Sequence, residues 1–470
     1  MTASATDGRL TRGRRRGRDR AAAGIVPWPT TAIIAAVALV LPFMLGNRTP
    51  EAMSASLLLL VAGVFVAMLA ALWPARSALP GPDRTWLVFA GVFTGLVGLQ
   101  VVPMPALAAA FGAYPEALWN HPEFSPRHWS PDVGATLRGW AAFVPLFTVA
   151  WIAHSLPATQ RNLLWLLLAG SALFQAVYGV AAHAMGSETI FGIWERNNPG
   201  FVHGSFSNRN LFAAYLALLW PLAVAVWWIR DMPLLGGRST EVKIAGSLIT
   251  SAIIGAALLG SASRLGSSAG LAAMVLALVL WSRHRRMLRG ASVWPAYLAL
   301  VAGLLAAAWY GLMPLAERLA ATGGHDSRFE IFGLMFTEFP LRWWLHGVGL
   351  GGFDAAFKQI QPGHLTHWWD YAHNDLLQWL IEMGIGGALL LMIVLAGLIR
   401  SARLSTERVA LYAGLVALVL VGLGDFSWHI PATQVVLALF IGVLLRPPRR
   451  GPRERHGAGS EAPLIPSAKQ

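Results

Sequence analysis

Residues 376–399 read LLQWLIEMGIGGALLLMIVLAGLI, and their one charge, Glu382, lies near the start. An α-helix rises about 1.5 Å per residue and a bilayer's hydrocarbon core is about 30 Å thick. A run of this length and composition is therefore a membrane-spanning helix with a carboxylate near one end. Eleven other runs read the same way: Ile25–Leu45, Ser56–Trp73, Trp86–Val102, Leu137–Ala153, Leu163–Ala182, Leu211–Ile229, Ile244–Gly260, Ser268–Trp281, Trp294–Met313, Val409–Leu423 and Ile430–Leu445. Ser268–Trp281 and Val409–Leu423 are short and need flanking residues to span. Pro42, Pro145 and Pro221 fall inside runs, which spanning helices tolerate when neighbours satisfy the freed backbone groups. The fold class expected is an all-α integral membrane protein of about 12 transmembrane helices.

The composition of the 470 residues agrees: 56% are hydrophobic and 13% charged. A soluble domain carries about 25% charged residues. A soluble multidomain enzyme is excluded, and so is a disordered chain, which needs low hydrophobicity. The absence of cysteine excludes disulfides, thiolate metal sites and a cysteine nucleophile. A net charge of +13 invites a nucleic-acid reading, and the placement of the charge decides against it. Seven arginines from Arg9 to Arg20 precede the first run, which reads as an uncleaved span rather than a signal peptide. With the N-terminus inside, 26 of the 36 Lys and Arg residues are inside and 10 outside. Basic residues accumulate on the cytoplasmic side of spanning segments. The charge is a topology signal and no nucleic-acid partner is expected. The expected organisation is a basic cytoplasmic tail over residues 1–24, a membrane domain over 25–446, and a disordered cytoplasmic tail rich in Pro, Gly and Arg over 447–470.

Three outer segments are long: 103–136, 183–208 and 314–372, the last between spans 9 and 10. Ten of the 13 histidines lie on this face, which suggests that the chemistry lies there. Four clusters stand out. Gly204-Ser205-Phe206-Ser207-Asn208-Arg209-Asn210 leads into the sixth span. Ser261-Ala262-Ser263-Arg264 separates two apolar runs. His325-Asp326-Ser327-Arg328-Phe329-Glu330 is followed by Pro340 and the glycine run Gly347–Gly352. His373-Asn374-Asp375-Leu376-Leu377-Gln378 continues to Glu382.

Arg209, Arg264 and Arg328 are three permanent cations at outer ends of separate spans. Guanidinium groups fork onto phosphate oxygens, so three together suit a diphosphate. Taken singly, each also has a bland reading as a snorkelling residue at the interface. His373 can act as acid or base near neutral pH. Asn374, Gln378 and Glu382 share one stripe of an ideal helix with Asp375 close by, whereas His373 precedes the helix and Asn374 or Asp375 caps it. The glycine run lacks the Lys-Ser/Thr of a Walker loop. There is no Asp-x-Asp for a metal-held nucleotide sugar, and no metal ligand set is expected.

These clusters, in this order, resemble the O-antigen ligase/polymerase family of bacterial membrane glycosyltransferases. The strongest match is Ala372–Gly384, AHNDLLQWLIEMG. The supporting matches are Gly204–Asn210, Ser263-Arg264, and Ser327-Arg328 with Pro340 and the glycines. The resemblance covers about Gly204 to Gly387. It implies a GT-C-like fold in the bacterial inner membrane, both termini cytoplasmic and the active face periplasmic. It implies transfer of a glycan from an undecaprenyl-diphosphate carrier to a hydroxyl acceptor, either lipid A-core or a growing glycan chain, with no cofactor and no metal. It makes Arg209, Arg264 and Arg328 the diphosphate clamp and His373 the base. Asn374 and Asp375 orient that base, and Asn208, Asn210, Gln378 and Glu382 support the site. Besides the glycan donor and acceptor, the partners implied are membrane lipids. One departure is the scarcity of Lys and Arg in the long loop, where a phosphate-rich acceptor would want more. The alternatives are a transporter or flippase of lipid-linked oligosaccharide, and a peptidoglycan-type glycan polymerase.

Overall fold

The computed structural model describes residues 26–44, 50–72, 82, 84–114, 126–196, 199–283, 327–366 and 369–446. The ninth run, Trp294–Met313, lies outside them, as do His325, Asp326 and both tails. The other eleven runs all coincide with helices. In chain order these are α1 (Trp28–Val40), α2 (Pro50–Leu72), α3 (Arg84–Val101), α4 (Pro105–Phe111), α5 (Val133–Ser155), α6 (Ala158–Ala184) and α7 (Arg209–Ala225). There follow α8 (Thr240–Gly260), α9 (Arg264–Arg283), α10 (Ser327–Glu338), α11 (Leu341–His346) and α12 (Phe353–Phe357). The last three are α13 (Asp375–Arg400), α14 (Thr406–Gly422) and α15 (Pro431–Leu444). The one sheet among the described residues is a hairpin of β1 (Thr189–Ile190) and β2 (Trp194–Glu195).

Seven of these helices are long and apolar enough to cross a membrane: α2, α3, α5, α6, α8, α9 and α13. The chain is an all-α polytopic membrane protein. The two short runs do recruit their flanks, extending to 20 residues in α9 and 17 in α14.

Burial separates the interior of the bundle from its lipid face. Every residue of α7 from Leu211 to Ala225 is buried, and α6, α8, α9 and α14 pack around it. By contrast α13 exposes Ile385, Leu389, Met392, Ile393, Leu395 and Ile399. A soluble protein rarely exposes so contiguous an apolar face, whereas a bilayer solvates it. Small residues set the close approaches within the bundle. A methyl group on Gly414 of α14 would lie 2.3 Å from the Leu218 carbonyl of α7. Close backbone contact of this kind drives helix association where lipid removes the hydrophobic difference.

The helices alternate in direction, so their ends gather into two groups. At one end, Arg161 of α6 meets Glu407 of α14, and Trp281 of α9 donates to the Thr406 carbonyl. At the other lie the starts of α7, α9, α13 and α15 and the ends of α8 and α14. The segments before and between spans contribute α4, the hairpin, and α10–α12 to this second end. A separate core of Ile331, Met335, Phe339, Trp343, Phe353 and Phe357 holds α10–α12 against the start of α13.

Candidate active site

Helix α13 begins at the second end because Asn374 caps it: its side chain accepts from the Leu377 N–H at 3.0 Å. The Asn374 amide also donates to the Leu423 carbonyl at the end of α14, at 2.9 Å. The residue before the cap, His373, adopts φ 53°, the left-handed region that non-glycine residues rarely enter. Its ring stands edge-on to Trp369 and Phe426, with centroids 5.3 and 5.0 Å away. Strain of this kind persists only where the surroundings dictate it, and it clusters at functional sites.

His373 faces the loop Gly424-Asp425-Phe426-Ser427-Trp428-His429 between α14 and α15. Its Nδ1 is buried, makes no hydrogen bond, and lies 3.8 Å from Oδ1 of Asp425. The other Asp425 oxygen lies 3.8 Å from Nη1 of Arg328, which donates to the Gly424 carbonyl at 2.7 Å. Asp425 is 3% exposed. Burial works against its ionised form, but His373 and the Arg328 charge outweigh it and hold the carboxyl below its ordinary range.

The other arginines sit one helix away. Arg209, first residue of α7, lies with its guanidinium 4.0 Å from the Phe201 ring centroid and reaches the Ser261 carbonyl at 3.5 Å. Ser261 opens the turn that ends in Arg264, the exposed first residue of α9. Next to it, Leu265 packs against Gly424, where an added methyl group would come within 2.9 Å of its side chain. The three arginines therefore lie at adjoining helix ends. Asn208 caps α7 by accepting from the Asn210 N–H at 2.8 Å, and the Asn210 side chain is half-buried.

Two expectations about roles meet a different geometry. Neither Asn374 nor Asp375 touches His373: Asn374 caps the helix, and Asp375 turns to Ser427, Trp428 and His429. The carboxylate beside His373 is Asp425, which the motifs did not single out. Gln378 and Glu382 are buried and bonded to each other at 3.1 Å. They belong to the scaffold at this end of the bundle.

The glycine run serves that scaffold too. Helix α13 kinks at Gly384, φ 58°, which leaves two carbonyls before the kink without helical partners. Val348 N–H takes the Ile381 carbonyl at 2.7 Å and Gly349 N–H takes that of Glu382 at 3.0 Å. A side chain on Gly347 would meet the Glu382 carbonyl at 2.5 Å. Gln100 of α3 closes the joint, donating to the Glu382 carbonyl and accepting from Leu350 N–H. Gly266-Ser267-Ser268-Ala269-Gly270 has the spacing of a hydrolase nucleophile elbow. It lies inside α9, however, and Ser268 bonds back to the Arg264 carbonyl at 2.8 Å, so the strand-to-helix turn of an elbow is missing.

The arrangement is that of a helical membrane protein with a polar site at one end of the bundle, built from a strained histidine, a buried aspartate and arginines at adjoining helix ends. Residues 249–392 match the family model described as O-Antigen ligase. It contains Arg264, Arg328 and the whole His373–Glu382 cluster, while Arg209 and Asp425 lie outside it. No curated protein matches the chain.

Proposed function

We propose that the protein transfers a glycan from an undecaprenyl-diphosphate carrier to a hydroxyl acceptor, lipid A-core or a growing glycan, at the periplasmic face of the bacterial inner membrane. The carrying observation is His373, held in a strained conformation beside Asp425, with Arg209, Arg264 and Arg328 at adjoining helix ends. The reading is supported by the match of residues 249–392 to the O-Antigen ligase model, since that segment includes Arg264, Arg328 and His373.

The acceptor oxygen attacks the anomeric carbon of the donor sugar. The bond from that carbon to the diphosphate oxygen breaks, and its electron pair leaves with undecaprenyl diphosphate. His373 takes the acceptor's proton on Nε2, and Asp425, facing Nδ1, stabilises the imidazolium. Such contacts are often long before substrate binds and tighten in the complex. Arginines facing the diphosphate stabilise the negative charge that develops on it, the service a metal ion gives elsewhere. We propose that the reaction is metal-independent on this basis.

The test is transfer by the purified protein in nanodiscs, with lipid-linked glycan and acceptor, in the presence of EDTA. Wild-type protein is expected to extend the acceptor, and His373→Ala and Arg264→Ala to fold normally without doing so. Wild-type transfer rates in both variants would sink the site assignment, and inhibition by EDTA would sink metal independence.

A further inference from the structure

His373 and Asp375 stand two residues apart and act on opposite ends of one hexapeptide, Gly424–His429. His373 faces Asp425 near the start. Asp375, wholly buried, takes three donors near the end: Trp428 N–H at 2.9 Å, Ser427 Oγ at 3.3 Å and His429 Nδ1 at 2.8 Å. The end of α14 also presses on it, since a methyl group on Gly422 would lie 3.0 Å from Asp375 Oδ2. The start of α13, with its positive dipole end, adds to the attraction for this carboxylate. The His429 ring rests on Tyr371, whose ring stacks on Phe426, the residue next to Asp425.

We propose that Asp375 and His429 form a clamp that fixes the loop, so that the Asp425 carboxylate stays against His373 and Arg328. Both are then positioning residues for the base, and the inference rests on the reading of His373 as that base. The geometry has a direct consequence. Asp425 cannot shift along its loop while the three bonds two to four residues later hold. Burial opposes the charged form of His429, but the bond to Asp375 and the carboxylates of Asp375, Glu382 and Asp370 raise its pKa above the ordinary value.

The two amide isosteres of histidine separate this role from contact with substrate. An asparagine amide nitrogen falls near the histidine Nδ1 position, and a glutamine amide nitrogen near Nε2. His429→Asn keeps the donor to Asp375, and His429→Gln loses it. Two readouts are needed in the full-length protein: turnover at saturating donor, and hydrogen–deuterium exchange of the 424–430 amides. For His429→Gln and Asp375→Asn we expect faster loop exchange and a turnover loss of about 100-fold with donor KM unchanged, the scale of a misplaced catalytic group. His429→Asn is expected to resemble wild type in both. Transfer kept in His429→Gln but lost in His429→Asn overturns the clamp in favour of a direct contact from Nε2. Wild-type loop exchange in His429→Gln and Asp375→Asn overturns it too. Clamp-dependent exchange in a protein that transfers no glycan upholds the clamp and sinks the glycosyltransferase reading instead.

Discussion

The two ends of the bundle treat charge in opposite ways. At the end opposite the site, Arg161 grips Glu407 with two nitrogens, at 2.5 and 3.2 Å, and Trp165 adds a third bond to the same carboxylate at 2.7 Å. Arg408 donates to the Leu444 and Arg446 carbonyls at 2.6 and 3.0 Å, completing the end of α15, and Arg446 does the same for the Leu156 carbonyl at 2.7 Å. At the site end, Asp425 stands 3.8 Å from both His373 and Arg328, and Arg264 is exposed. Positive φ occurs at both ends, in His373 and Ala262 here and in Asp231 and Leu234 opposite, but only here does it fall beside a buried acid and a histidine. Charges that complete helix ends are structural. The charges at the site end are more loosely spaced, in keeping with the substrate role proposed for them.

That contrast breaks most decisively at Asp425. Asp425→Asn keeps the volume and removes the charge that faces the His373 imidazole. Turnover is expected to fall by about 100-fold or more, the usual worth of an acid–base group, with the protein still folded by size-exclusion chromatography and thermal melting. The mirror experiment is Glu407→Gln. It leaves Arg161 partly buried without its partner, so stability should fall by about 3 kcal/mol while turnover per folded molecule is unchanged. A turnover loss in Glu407→Gln matching that in Asp425→Asn would abolish the distinction between the ends.

The scaffold between the ends gives an intermediate effect. A methyl group on Gly384 would come within 2.5 Å of the Leu345 carbonyl, at a φ that L residues avoid. Gly384→Ala is expected to cost about 2 kcal/mol of stability from strain and displaced backbone, and to slow transfer by loosening the joint between α11 and α13. A stable variant with normal turnover would show the kink to be incidental to the site.

The sequence carried the helices because apolar length is a local property. Even the short runs before Trp281 and Leu423 announced that they needed their flanks. Asn374 as a cap, and His373 as a residue before the helix, were equally legible from spacing. The partner of His373 was not. Asp425 lies 52 positions away, and its only local signal is a lone acid, followed by His429, in a short turn between two apolar runs. Asp375 misled for the same reason: adjacency on the chain suggests that it orients His373, whereas the fold turns it toward another loop. The Gly384 kink leaves no trace in hydropathy, since a spanning helix tolerates glycine without bending.

The smallest expected effect concerns how Arg209 is presented. Arg196, 6% exposed, donates from Nε to His203 Nε2 at 2.7 Å and from Nη2 to the Phe201 carbonyl at 3.0 Å, and the Phe201 ring lies against Arg209. An acceptor nitrogen must be unprotonated, so this lock requires neutral His203. Burial and the Arg196 charge lower its pKa from 6.5 to about 4. A depressed histidine pKa means that the unfolded chain takes up a proton before the folded one does. The stabilising contribution is therefore complete above pH 6.5 and is lost progressively as pH falls toward 4. Amide protection of residues 199–209, corrected for intrinsic exchange, should decline across that window by less than about tenfold per pH unit, the limit for one proton. In His203→Gln, which cannot titrate, the decline should vanish. A wild-type profile flat from pH 6.5 to 4 would show that the lock does not depend on His203 being neutral. Arg209 would then be held by its contacts with Phe201 and Ser261 alone.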